Sequence, residues 1–98
     1  MLTKEQVMDA LKKVYDPELG VNIVDLGLIY EVNVKDKNVY IKMTLTTPGC
    51  PLYMMFLREV ERAIKELGAE NVEIELVFDP PWTPERMSRE LRKRFGFE

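Results

Sequence analysis

A double run of strict alternation constrains this chain more than any other feature. Leu28, Tyr30, Val32 and Val34 are interleaved with Ile29, Glu31, Asn33 and Lys35. After the polar pair Asp36-Lys37 the pattern resumes, with Val39, Ile41, Met43 and Leu45 interleaved with Tyr40, Lys42, Thr44 and Thr46. A strand turns successive side chains to opposite faces, so the two runs predict a hairpin with the first set of each pointing into a core and the second into water. A third run, Val72, Ile74, Leu76 and Phe78 around Glu73, Glu75 and Val77, repeats the one-sided pattern. Three strands with one apolar face each need helices to cover that face.

The rest of the chain supplies them. Thr3 to Tyr15 reads as an amphipathic helix opened by a Thr3/Gln6 capping box, with Val7, Leu11 and Val14 at helical spacing. Asp16-Pro17 ends it, because a residue before proline avoids the α region, and Glu18-Leu19-Gly20 forms the following turn. Val21 to Gly27 is an apolar connector with Gly27 as its bend. Pro51 to Leu67 is the longest helix, buried through Tyr53, Phe56, Leu57, Val60, Ile64 and Leu67 and closed by Gly68. Leu52, Met54 and Met55 widen the apolar face of its first turn; the methionine pair reads as core filling, although part of so greasy a turn has to meet something beyond the sheet. Asp79-Pro80-Pro81-Trp82-Thr83-Pro84 is a stiff segment around the only tryptophan. Thr83 and Pro84 are placed to start a last helix that buries Met87, Leu91 and Phe95 and carries Arg86, Arg89, Arg92, Lys93 and Arg94 on a solvated basic face. The order is α-β-β-α-β-α. The expectation is a single domain over residues 1–98, an α/β two-layer sandwich whose three-stranded sheet has its helices on one face.

Composition excludes several functions. The net charge is −3, so no global field attracts nucleic acid, and no apolar run is long enough to cross a bilayer. Met1-Leu2-Thr3-Lys4-Glu5 lacks the basic and apolar regions of a signal peptide, which points to the cytoplasm. One cysteine forms no internal disulfide, as suits a reducing compartment. Abundant Lys, Arg and Glu beside a single glutamine lean towards a thermophilic source. The absence of histidine removes the usual general base and the usual zinc ligand.

Chemistry therefore centres on Thr46-Thr47-Pro48-Gly49-Cys50-Pro51. Pro48-Gly49 suits the middle of a type II turn, and Pro51 suits the first position of the helix that follows, which makes Cys50 its N-cap. At a helix N-terminus the free N–H groups and the dipole favour a thiolate, the form that attacks electrophiles and binds metals. The same spacing also fits a small buried hydrophobe at a helix start. Thr46 and Thr47 point in opposite directions, so one hydroxyl lies beside the turn, or both simply fill the strand end. Asp16 and Glu18, two carboxylates at a helix C-terminus, oppose that dipole, yet Asp-Pro-Glu is also ordinary turn chemistry.

With Asp16-Pro17-Glu18, Asp25-Leu26-Gly27-Leu28, the Cys50 turn and the Asp79 to Pro84 segment in this order, the chain resembles, over essentially its whole length, the PaaD and SufT-like iron-sulfur assembly domains, relatives of the eukaryotic cytosolic iron-sulfur targeting factor. The resemblance implies a role in maturing iron-sulfur proteins, with Cys50 as the functional thiol and metal ligand and Asp16, Glu18, Thr46 and Thr47 around it. It implies iron-sulfur assembly proteins and apo-clients as partners, and a transient cluster or iron as cargo. Clusters normally take four protein ligands and this chain offers one thiol, so no permanently bound cofactor is expected, and a homodimer is one way to bring two Cys50 thiolates together. An adaptor or transient carrier is the preferred reading. A thiol-dependent enzyme using Cys50 with Asp16 or Glu18 as base is the alternative.

Overall fold

The computed structural model describes residues 2–16, 19–46 and 53–97. Three elements come from the strand patterns: β1 (Ile29–Lys35), β2 (Asn38–Met43) and β3 (Asn71–Leu76). Order in the sheet is β1-β2-β3, with β1 antiparallel to β2 and β3 parallel to it. The hairpin turns through Asp36, held at φ 56, a left-handed value that aspartate tolerates. A parallel neighbour needs a crossover, and α2 (Tyr53–Lys65) provides it between β2 and β3.

The core lies where α1 (Lys4–Leu11) and α2 meet the apolar face of the sheet. Val7 and Leu11 from α1, Phe56, Val60 and Ile64 from α2, Val32 from β1 and Val39, Ile41 and Met43 from β2 are all buried there. Full burial of each large aliphatic side chain stabilises the fold by about 1.5–3 kcal/mol. On the opposite face Glu31, Asn33, Lys35, Glu73 and Glu75 stay exposed, as the alternation requires. There Tyr40 donates its hydroxyl to the Glu75 carboxylate, and that bond, with the surrounding carboxylates, pushes the phenol up to about 12.

The capping box forms: the Gln6 N–H donates to Thr3 Oγ1 at 3.1 Å and the Thr3 N–H to Gln6 Oε1 at 3.0 Å. The helix it opens is shorter than expected. It ends at Leu11, and by Tyr15 the chain is extended and bridges Asn22. The backbone of Val14 accepts from Ile23 at 3.0 Å and the Asp16 N–H donates to Val21 at 2.9 Å. This small antiparallel pairing competes with the last helical turn.

Four further expectations are corrected. Tyr30 does not alternate inward, because a bulge between Ile29 and Glu31 makes it the extra residue, half-buried, with its hydroxyl donating to the Pro80 carbonyl at 2.8 Å. Thr44 is fully buried rather than solvent-facing. Tyr30 lies on β1 and Pro80 follows β3 at the other edge of the sheet, so the bond joining them carries the segment after β3 across the end of β2. β3 stops at Leu76 and Phe78 is exposed. The last helix is broken in two: a single 3-10 turn at Pro84–Arg86 follows Thr83, and α3 (Arg89–Arg94) starts from Ser88, whose Oγ accepts from the Leu91 N–H. Met87 and Leu91 reach the core, but Phe95 does not.

Candidate functional site

Two of the motifs singled out in the sequence turn out to be partners of each other. In Asp25-Leu26-Gly27-Leu28, Leu26 and Leu28 are fully buried and Gly27 adopts φ +80. A side chain at Gly27 is excluded twice over, since a Cβ there would stand 2.1 Å from the Arg86 carbonyl oxygen. From the other motif, Trp82 donates its Nε1–H to the Leu26 carbonyl at 2.6 Å, and the Ser88 N–H donates to the Asp25 carbonyl at 2.7 Å. Asn22 fastens the same loop from within: its Oδ1 accepts from the Val24 and Asp25 N–H groups, and its Nδ2 donates to Asp25 Oδ2 at 2.7 Å. These bonds give otherwise orphaned backbone groups their partners, which makes the pair of motifs a structural clasp holding the chain after β3 against the connector before β1.

The acidic turn is organised locally. Asp16 is buried; its Oδ1 accepts from the Leu19 N–H at 2.9 Å and its carbonyl from the Gly20 N–H at 2.8 Å, the geometry by which an aspartate templates its own turn. Asp16 and Tyr15 are among the residues lining the groove between α1 and α2, together with Glu59, Ala63 and Glu66. Glu18 lies outside the described residues, as do Thr47, Cys50 and the whole expected turn at Pro48-Gly49 with its N-cap and Pro51.

The flanks of that turn are described on both sides. β2 runs on past Met43, since the Thr44 N–H donates to the Leu28 carbonyl and the Val77 N–H to the Met43 carbonyl, and Thr46 is half-buried at the end of this extension. Where the chain is described again, α2 opens with Tyr53, Met54 and Met55, which are 38%, 51% and 65% exposed. The methionines are therefore not core filling. The stripe that fills the core is Phe56, Val60 and Ile64 with Leu57 partly buried beside them; Tyr53 and Leu67, expected in it, are exposed, the helix ends at Lys65, and Met54 and Met55 lie on the flanks that the sheet does not reach. Cys50 is thus followed, three to five residues on, by an uncovered apolar turn. Such a group at one place is a mark of a contact surface.

A contact near the sheet edge escaped the sequence reading. Arg86 lies over the Tyr30 ring, 4.5 Å from its centroid, and the bulge sets that ring outward to receive it. No spacing in the sequence pairs residues so far apart. Among the described residues no three Cys, His, Asp or Glu side chains gather as ligands for a metal ion, and no helix is long and apolar enough to cross a membrane.

Residues 4–76 match the family described as iron-sulfur cluster assembly protein. The Fe-S protein maturation auxiliary factor YitW of Bacillus subtilis is 44% identical over 97 residues, spanning 97% of this chain and 95% of that protein. An iron-sulfur cluster carrier protein of Synechocystis is 37% identical over 98% of this chain, which corresponds to 27% of that longer protein. Among solved structures, a conserved hypothetical protein from Thermotoga maritima superposes with a TM-score of 0.85 at 58% identity, over 97% of this chain and 95% of that one.

Proposed function

The chain belongs to the iron-sulfur cluster assembly protein family, and on that premise we propose that it is a single-domain cytoplasmic maturation factor for iron-sulfur proteins, acting as an adaptor or transient carrier through Cys50. The observation that carries this reading is the nearly end-to-end likeness to a maturation auxiliary factor of the same length class. Cys50 supplies the thiolate, with Asp16, Glu18, Thr46 and Thr47 as its surroundings and Tyr53, Met54 and Met55 as the apolar ground on which an assembly protein or an apo-client rests. The cluster or iron is cargo. A chain with one cysteine and no histidine brings one soft ligand, so the remaining ligands come from the partner or from a second copy. The turn-forming role of Asp16 favours this reading over a thiol enzyme with Asp16 as its base, because the Oδ1 is already engaged by the Leu19 N–H.

Cys50→Ser tests the proposal. At the N-cap position that the spacing predicts for Cys50, serine keeps an acceptor, so the melting temperature is expected to stay within the range of a surface substitution, a change of about 0.5 kcal/mol or less. Activity of client iron-sulfur enzymes in cells that depend on this chain should fall to the level of the deletion. Normal client activity in the variant would remove the thiol from the mechanism, and an unfolded variant would return Cys50 to the core. Sedimentation with and without iron and sulfide separates a two-fold carrier from an adaptor.

A further inference from the structure

The sheet has two outer edges, and they are finished differently. β1 carries the bulge at Tyr30, whose hydroxyl is tied to Pro80 and whose ring lies under Arg86. β3 has no such device. Its register with β2 is unbroken from Asn71 to Leu76, and it contains neither proline nor glycine. The Asn71 N–H donates to the Lys37 carbonyl at 3.3 Å and the Val77 N–H to the Met43 carbonyl at 2.8 Å. Backbone groups of a strand alternate sides with period two, so the N–H groups of Glu73 and Glu75 also face β2. Those of Val72, Ile74 and Leu76, with their carbonyls, face away from it. Among the described residues none hydrogen-bonds to these outward groups.

Side chains along the edge are unfinished as well. Val72, Ile74 and Leu76 are half-buried, whereas Val39, Ile41 and Met43 beside them on β2 are buried. On the other face Glu73 and Glu75 are exposed, with Tyr40 and Lys42 as their cross-strand neighbours. We propose that the outer edge of β3 is a docking edge for an extended segment of another protein in which apolar residues alternate with lysine or arginine. Such a segment would take the outward N–H and C=O groups of Val72, Ile74 and Leu76 into a ladder, set its apolar side chains against theirs, and set its cations beside Glu73 and Glu75. A second copy is a poor occupant. Antiparallel pairing of two β3 strands about Ile74 places Glu73 opposite Glu75 twice, and pairing about Glu73 places it opposite itself. The proposal rests on the backbone and side chains of β3 alone and stands apart from the thiol mechanism.

The probe is a short peptide alternating valine with lysine, added to the full chain. Amide exchange is expected to slow at least tenfold at Val72, Ile74 and Leu76 and to stay unchanged at Glu73 and Glu75. The double variant Glu73→Lys with Glu75→Lys should weaken binding of that peptide at least tenfold and bind the valine-glutamate version instead. Ile74→Pro removes an outward N–H while leaving the ladder to β2 intact, and should abolish binding of the valine-lysine peptide; should it fail to fold, the charge-reversal pair carries the test alone. Equal weakening by Glu59→Lys on α2 would show that only bulk charge is sensed and would overturn the proposal. So would protection spread evenly over the sheet, or dimerisation of the unmodified chain through β3 detected by sedimentation.

Discussion

The clasp around Leu26 and Gly27 and the first turn of α2, just after the corner between β2 and α2, are built in opposite ways. In the clasp the Leu26 and Asp25 carbonyls are satisfied by Trp82 and Ser88, and the only residue without a side chain is packed against the Arg86 backbone. At the corner, large apolar side chains at Tyr53, Met54 and Met55 stand in water at the start of the longest helix. The difference shows that stretches of equal prominence in a sequence divide into those that hold the fold and those whose apolar side chains stay uncovered. Burial and hydrogen-bond partners, not the motif itself, make the division.

The sharpest way to break the comparison is at Gly27. Alanine there meets the Arg86 carbonyl and requires a left-handed conformation, so Gly27→Ala should cost about 2–4 kcal/mol in denaturant unfolding. A cost below 1 kcal/mol would mean that the clasp yields easily. Trp82→Phe keeps most of the apolar contact and removes the donor to the Leu26 carbonyl. It should cost about 1–2 kcal/mol by the same measurement, with client maturation preserved.

The corner should respond the other way round. Met54→Gln with Met55→Gln is expected to shift stability by no more than about 0.5 kcal/mol per site while impairing client maturation, since neither side chain packs in the core. Unfolding of that variant would equate the corner with the clasp. The smallest effect belongs to Tyr40, which serves neither region. Its phenol, held at about 12 by Glu75, is raised above the unfolded value of 10.0. The neutral form is therefore favoured on folding: the contribution is complete below pH 10 and is lost as pH rises through 12. Tyr40→Phe should remove that alkaline sensitivity, seen by comparing unfolding of the two proteins across this interval, and should remove one late-titrating component from the tyrosinate absorbance.

Local chemistry in the sequence was sufficient for several elements. The Thr3/Gln6 box needs only residues three apart, the hairpin needs only a period of two and a polar turn, and the Phe56, Val60 and Ile64 stripe needs only helical spacing, so each was legible before any tertiary contact was known. The family, too, followed from four ordered motifs. Other features depended on partners far away in the chain. The first helix lost its end to a pairing of Tyr15 with Asn22, and Tyr30 left its alternation to reach Pro80 and Arg86. Thr44 left the expected solvent face and is fully buried, its N–H bonded to the Leu28 carbonyl. Met54 and Met55 illustrate the limit most plainly: periodicity says how wide an apolar face is, but only the extent of the sheet beneath it decides how much of that face is covered. Strand order followed the same rule, because the pairing of β3 with β2 rather than β1 rests on the path of α2 across the sheet and not on any residue pattern within the strands.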